Sequence, residues 1–131
     1  MTFVIQGEPR GKQRPRFSRR SRTMYTPSET TAYEEEVRAE YLKAGGVKHT
    51  GEVALTIIAY DKIPEAATKA MREKIAAGLR PMKKPDVDNV AKIIMDGLNG
   101  AAYEDDKQVT VLTIGKWYSD EPRVLVEVTE L

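Results

Sequence analysis

The chain has 131 residues, 40% hydrophobic and 31% charged, with a net charge of +1, one histidine and no cysteine. That length supports one modest core, expected as a single domain over 1–131, and no apolar run approaches the roughly 18 residues of a membrane span, nor does the N-terminus carry a signal-peptide pattern. Without cysteine, and with His49 alone, disulfides and the usual zinc sets are excluded, so any metal must be held by oxygen, which points to Mg²⁺, Mn²⁺ or Ca²⁺.

Thr2 to Gln6 (TFVIQ) reads as a first strand. Gly7 to Tyr25 follows as a Gly/Pro/Arg loop, long for so small a chain and therefore a candidate functional element. Between Arg10 and Arg22 it holds seven cations (Arg10, Lys12, Arg14, Arg16, Arg19, Arg20, Arg22) and no acid. A second basic stretch, Arg80, Lys83 and Lys84, precedes an acidic cluster. The near-neutral total thus conceals a basic surface suited to a phosphate backbone. The bland alternative is a solubilising tail, but Phe17, Tyr25 and the interspersed prolines and glycines favour ordered loops.

Thr26-Pro27-Ser28-Glu29 predicts a helix start, with Thr26 as cap, Pro27 in the first helical position and Glu29 completing a capping box. Tyr33, Val37 and Tyr41 recur on one face, and Gly45-Gly46 ends the helix. Glu52 to Asp61 (EVALTIIAYD) is a strand; after Pro64 a helical stretch runs to about Ala77, with Ala67, Met71 and Ile75 four apart and Gly78 as its stop. Asp86 to Leu98 forms the next helix, with Val90, Ala91, Ile94 and Leu98 toward the core. Val109 to Trp117 and Arg123 to Thr129 are strands joined by a turn at Ser119-Asp120-Glu121-Pro122. Trp117 is expected in the core, and His49 on an exposed loop. The order β-α-β-α-α-β-β predicts a mixed α/β (α+β) fold, a small sheet packed with helices.

The chemistry concentrates in Lys83 to Gln108, KKPDVDNVAKIIMDGLNGAAYEDDKQ. Pro85 disfavours helix before it, so Asp86 and Asp88 sit at or beside a helix N-terminus. At 100° per residue Asp88, Lys92 and Asp96 share one polar stripe, with Val90, Ile94 and Leu98 opposite. Asp105 and Asp106 precede the next strand and return beside Asp86 and Asp88 if Asn99-Gly100 reverses the chain. Gathered carboxylates repel unless a cation intervenes. A divalent ion relieves that repulsion and supplies what phosphodiester hydrolysis needs. Lys92 can then serve the scissile phosphate, or merely pair with Asp88 one turn away. Taken separately, Asp86 or Asp88 reads equally as an N-cap, and Glu104-Asp105-Asp106 as a solvated turn. Together, and beside the basic segments, they read as an oxygen-ligated metal site next to a polyanion surface.

From Lys84 to Val109 the sequence resembles the RusA family of Holliday-junction resolvases. The resemblance rests on D-x-D-N-x-x-K, then D-x-L-N, then D-D-x-Q-V in order, and on the basic loop from Gly7 to Arg16 after the first strand. It implies a cytoplasmic, bacterial or phage-encoded homodimer without organic cofactor. That dimer would make paired, Mg²⁺-dependent nicks (Mn²⁺ substituting) in opposing strands of a four-way junction. Carried over by residue, the metal-binding acids are Asp86, Asp88 and Asp106, with Lys92 as the catalytic lysine. The Asp105–Asp106 pair contributes one ligand and one turn residue, and Asp105 stands as the alternative third ligand. Arg10, Lys12, Arg14, Arg16, Arg19, Arg20, Lys83 and Lys84 are the expected DNA contacts, and Phe17, Tyr25 or Met82 can stack on opened bases. Two other readings stay open: a branch- or flap-directed Mg²⁺ nuclease with little four-way selectivity, and a non-catalytic DNA-binding module.

Overall fold

Strict alternation along one strand organises the fold. In a computed structural model, which describes residues 1–13, 16–25 and 27–131 (for Arg16 and Tyr25 the backbone alone), strand β4 (Val53–Lys62) buries every second residue. Val53, Leu55, Ile57 and Ala59 are fully buried on one face, while Ala54, Thr56, Ile58 and Tyr60 are half-buried on the other. β4 is the centre of a four-stranded sheet of order β1-β6-β4-β5, with β1 at Thr2–Gln6, β5 at Val109–Ser119 and β6 at Arg123–Glu130. β6 runs antiparallel to both β1 and β4, whereas β5 runs parallel to β4. The parallel pair needs a long crossover, and this carries helices α2 (Lys69–Ala76) and α3 (Val87–Leu98).

Helix α1 (Ser28–Lys43) and α3 supply the other half of the core. α1 buries Thr30, Tyr33, Val37 and Tyr41; α3 buries Val90, Ala91, Ile93, Ile94, Gly97 and Leu98. Tyr41 meets Phe3 of β1 edge-on, ring centroids 5.5 Å apart. The two helices approach most closely at Gly97, where a Cβ would stand 2.9 Å from Val37 Cβ and 3.0 Å from the Glu34 carbonyl oxygen. α1 ends in a Schellman turn: Gly45, at φ 89°, and Gly46 donate their amides to the carbonyls of Leu42 and Tyr41. None of the described helices is long and apolar enough to cross a membrane.

The mixed α+β fold and the sequence of major elements match the expectation, with five local corrections. The basic loop contains a hairpin, β2 (Arg16–Ser18) with β3 (Thr23–Tyr25). α1 starts one residue later than expected, with Pro27 at the N-cap and no side-chain cap bond from it; Thr26, the expected cap of the capping box, lies outside the described residues. α2 buries none of its residues fully; its apolar face, Met71 and Ile75, is only half-buried. Trp117 is 38% exposed, since it lies on the sheet face opposite α1 and α3; there the Arg80 guanidinium covers its ring at 3.6 Å. His49 is likewise less exposed than expected, its side chain 13% accessible and facing Glu130.

The Gly97 crossing yields a direct test. Gly97→Ala raises intrinsic helix propensity yet overpacks the contact with Val37. We expect a net destabilisation of about 1–3 kcal/mol in urea unfolding.

Candidate active site

Asp86 and Asp88 are delivered by the start of α3. Asp86 occupies the N-cap in extended backbone (φ −70°, ψ 154°) and its carboxylate makes no cap bond; Asp88 lies in the first turn. Both are exposed, and no ion pair among the described residues takes up either carboxylate. The positive end of the helix favours both anions there. Asp86 borders two open clefts, one walled by Gly11, Lys12, Gln13, Lys84 and Asn89, the other by Met82, Lys83, Lys84, Val87 and Lys116.

Asp106 reaches the same helix by a different route. After α3, Gly100 at φ 81° turns the chain and donates its amide to the Tyr103 carbonyl. Tyr103 is fully buried and its hydroxyl donates to the Met95 carbonyl at 2.7 Å, pinning the returning loop to α3. Burial drives the Tyr103 hydroxyl well above its usual pKa, so it stays protonated as donor. Gln108 then staples the loop from both ends. Its Nε2 donates to the carbonyls of His49 and Gly51, both at 3.0 Å, and its Oε1 accepts from the amides of Glu104 and Asp105. Asp105 caps the 3₁₀ turn Asp106–Gln108 by accepting from the Lys107 amide at 2.8 Å. That amide bond holds its carboxyl below the usual range. With Asp105 engaged in its own turn, Asp106 faces α3, its Oδ2 3.4 Å from Lys92 Nζ.

The result is an alternating line of charge: Glu34, Lys12, Asp96, Lys92, Asp106. Lys12 Nζ lies 2.7 Å from Glu34 and 3.1 Å from Asp96; Lys92 Nζ lies 3.0 Å from Asp96. Lys92 therefore pairs with the residue four positions after it, not with Asp88 four before. Its pKa is raised, chiefly by the bond to Asp96, and that of Lys12 is raised as Glu34 and Asp96 outweigh its burial. Both lysines are cations across the biological range.

The donors fit a hard divalent ion. Asp86 and Asp88 offer free carboxylate oxygens, and Mg²⁺ typically takes one or two protein carboxylates together with waters and phosphate oxygens. No group of three or more His, Cys, Asp or Glu side chains is arranged as a metal cage among the described residues. The Asp106 carboxylate is instead neutralised by Lys92. Of the expected phosphate contacts, Arg10, Arg19, Arg20, Lys83 and Lys84 are exposed, whereas Lys12 is spent on Glu34 and Asp96. Arg14 and the Arg16 side chain lie outside the described residues. On the hairpin, Phe17 and Met24 are cross-strand partners, 57% and 62% exposed.

The sequence reading missed Asp61 and Lys116. Both lie on the core-facing side of their strands; Lys116 donates to the Lys83 carbonyl, and one oxygen of Asp61 has no partner. Burial raises the Asp61 pKa against the pull of Lys83 and Lys116. Their signal was parity, since Asp61 continues the buried register of Val53, Leu55, Ile57 and Ala59.

Two comparisons place the chain among known proteins. The family model described as Endodeoxyribonuclease RusA matches residues 6–129. Uncharacterized protein YqaN of Bacillus subtilis (strain 168) is 35% identical over 140 aligned residues, spanning 98% of this chain and 95% of its own.

The loop carrying Asp106 can be tested without any activity. Gln108→Ala leaves the His49 and Gly51 carbonyls unpaired, and urea unfolding should register a loss of about 1–3 kcal/mol. Asp105→Ala should act through pH. A carboxyl held low stabilises fully above its unfolded pKa of about 4 and loses that contribution as pH falls through the lower native value. The variant's stability curve should be flatter than wild type across that acid limb alone.

Proposed function

From the premise that this chain belongs to the RusA endodeoxyribonuclease family, we propose that it is a divalent-metal-dependent nuclease that resolves four-way DNA junctions. It acts as a homodimer, making paired nicks in opposing strands in the cytoplasm. The observation that carries the reading is the convergence on α3. The Lys92 ammonium, beside Asp106, stands on the helix whose N-cap and first turn present two unpaired aspartates.

Asp86 and Asp88, with Asp106, supply the oxygen donors for Mg²⁺ or Mn²⁺. When bound, such an ion polarises the phosphoryl oxygen and makes a water nucleophilic near neutral pH. Asp105 holds the turn that aims Asp106. Lys92, on the same stripe, donates to a non-bridging oxygen of the scissile phosphate and offsets charge as it develops. Its present partners are carboxylates, so engaging phosphate exchanges one oxyanion for another at little cost in desolvation. Arg10, Arg14, Arg16, Arg19 and Arg20 hold flanking phosphates without reading sequence, as do Lys83 and Lys84 beside Asp86. Phe17 and Met24, flanked by these cations, stack on bases exposed at the crossover. Two-fold symmetry suits a four-way junction, because equivalent strands then meet equivalent sites.

Labelled four-way, flap and linear DNA, each with Mg²⁺ and with EDTA, test the proposal. Symmetric paired nicks confined to the four-way substrate and to Mg²⁺ are expected. Equal cutting of four-way and flap DNA with linear DNA spared would leave a general branch nuclease, equal cutting of all three a nuclease without branch preference, and retention without cutting a binding module. Asp88→Asn should lower the cleavage rate by about 100-fold or more with junction affinity in EDTA kept. Arg19→Ala and Arg20→Ala should each reduce the slope of log affinity against log salt by about one.

A further inference from the structure

Residues 9–13 lie across α3 as a strap. Gly11 meets the helix start so closely that a Cβ would stand 2.9 Å from Pro85 Cβ and 3.1 Å from Asn89 Cβ. The Lys12 amide donates to the Asn89 carbonyl at 2.9 Å. Its side chain then turns inward, 21% exposed, between Glu34 of α1 and Asp96 of α3. Asp96, only 14% exposed, divides its two oxygens: Oδ2 faces Lys12 at 3.1 Å and Oδ1 faces Lys92 at 3.0 Å.

We infer that Asp96 is a positioning residue that couples the strap to Lys92, so that one carboxylate holds both a wall of the Asp86 cleft and the lysine beside Asp106. Lys12, though it belongs to the basic run, is a tether and not a phosphate contact. Drawing its ammonium away toward DNA leaves Glu34 without its cation beside Asp96, which keeps Lys92 alone, and both carboxylates are little exposed, so like-charge repulsion and desolvation oppose the move. Asp96 also restrains the long Lys92 side chain, so less rotamer freedom is lost when Lys92 engages phosphate. Partly buried pairs of this kind are screened less by salt than surface pairs are. Only the catalytic consequence rests on the nuclease reading; the docking of the strap does not.

Asp96→Ala, Lys12→Met and Lys12→Arg separate the possibilities. Alanine is favourable inside a helix, so Asp96→Ala should keep its helix content by circular dichroism. In Asp96→Ala and Lys12→Met, hydrogen-exchange protection of the residue 12 amide should fall by about tenfold. Single-turnover junction cleavage should slow by about tenfold in both, while Lys12→Arg retains protection and rate. Lys12→Met should leave the salt slope of junction binding unchanged, unlike Arg19→Ala.

Unchanged amide protection in Asp96→Ala overturns the inference. So does slowed cleavage with the amide still protected, which assigns Asp96 to Lys92 alone, and so does a salt slope reduced by about one in Lys12→Met. Wild-type protein that cuts no junction removes the nuclease reading instead; the amide of residue 12 then still decides whether Asp96 holds the strap.

Discussion

The close crossing of α1 and α3 at Gly97 is the constraint on which the site is built. With no side chain at that position, the helices meet backbone to side chain, Val37 and the Glu34 carbonyl resting against the glycine. Glu34 and its neighbour across the contact, Asp96, are thereby brought to one side of the helix pair. Two carboxylates so placed need a cation, and Lys12 fills that need from a segment remote in sequence. A packing contact in the core thus sets where charge can stand at the surface.

Carboxylates in this region divide into two kinds by what already neutralises them. Glu34, Asp96 and Asp106 are matched by lysines, and Asp105 by a backbone amide. Asp86 and Asp88 stand at the mouth of α3 with the helix end as their only described compensation. Such an arrangement leaves the strongest demand for an added cation at Asp86 and Asp88. Their oxygens are the ones a divalent ion would meet without first displacing a lysine. The net charge of +1, from 21 cations and 20 acids, therefore conceals a basic N-terminal segment beside this set of carboxylates.

The sheet plays its part at a distance. Because β5 lies parallel to β4, the chain must cross over the sheet, and that crossover is where α3 and its aspartates sit. The return from α3 to β5 then carries Asp105 and Asp106 back past the same helix, held by Tyr103 in the core and by Gln108 across to the loop before β4. Asp61 and Lys116 show that charge also enters the buried face of the sheet, near the loop that leads to Asp86.

Much of this was legible in order of residues alone. Period-two and period-four patterns located the main strands and helices to within a few residues, because the elements that build the core each bury one face. Asp86 and Asp88 were legible as helix-start acids, and the spacing through Gln108 carried the family resemblance. Local pattern misplaced Trp117 and overlooked Asp61, since hydropathy does not tell which face of a sheet is covered. It also assigned Lys12 to the basic run and offered Asp88 as the partner of Lys92. Those assignments were decided by tertiary structure: ion pairs form between whichever charges packing brings within a few ångströms. Whether Asp105 or Asp106 faces α3 was decided the same way, by a turn whose amides and core anchor leave only one of the two carboxylates free to point inward.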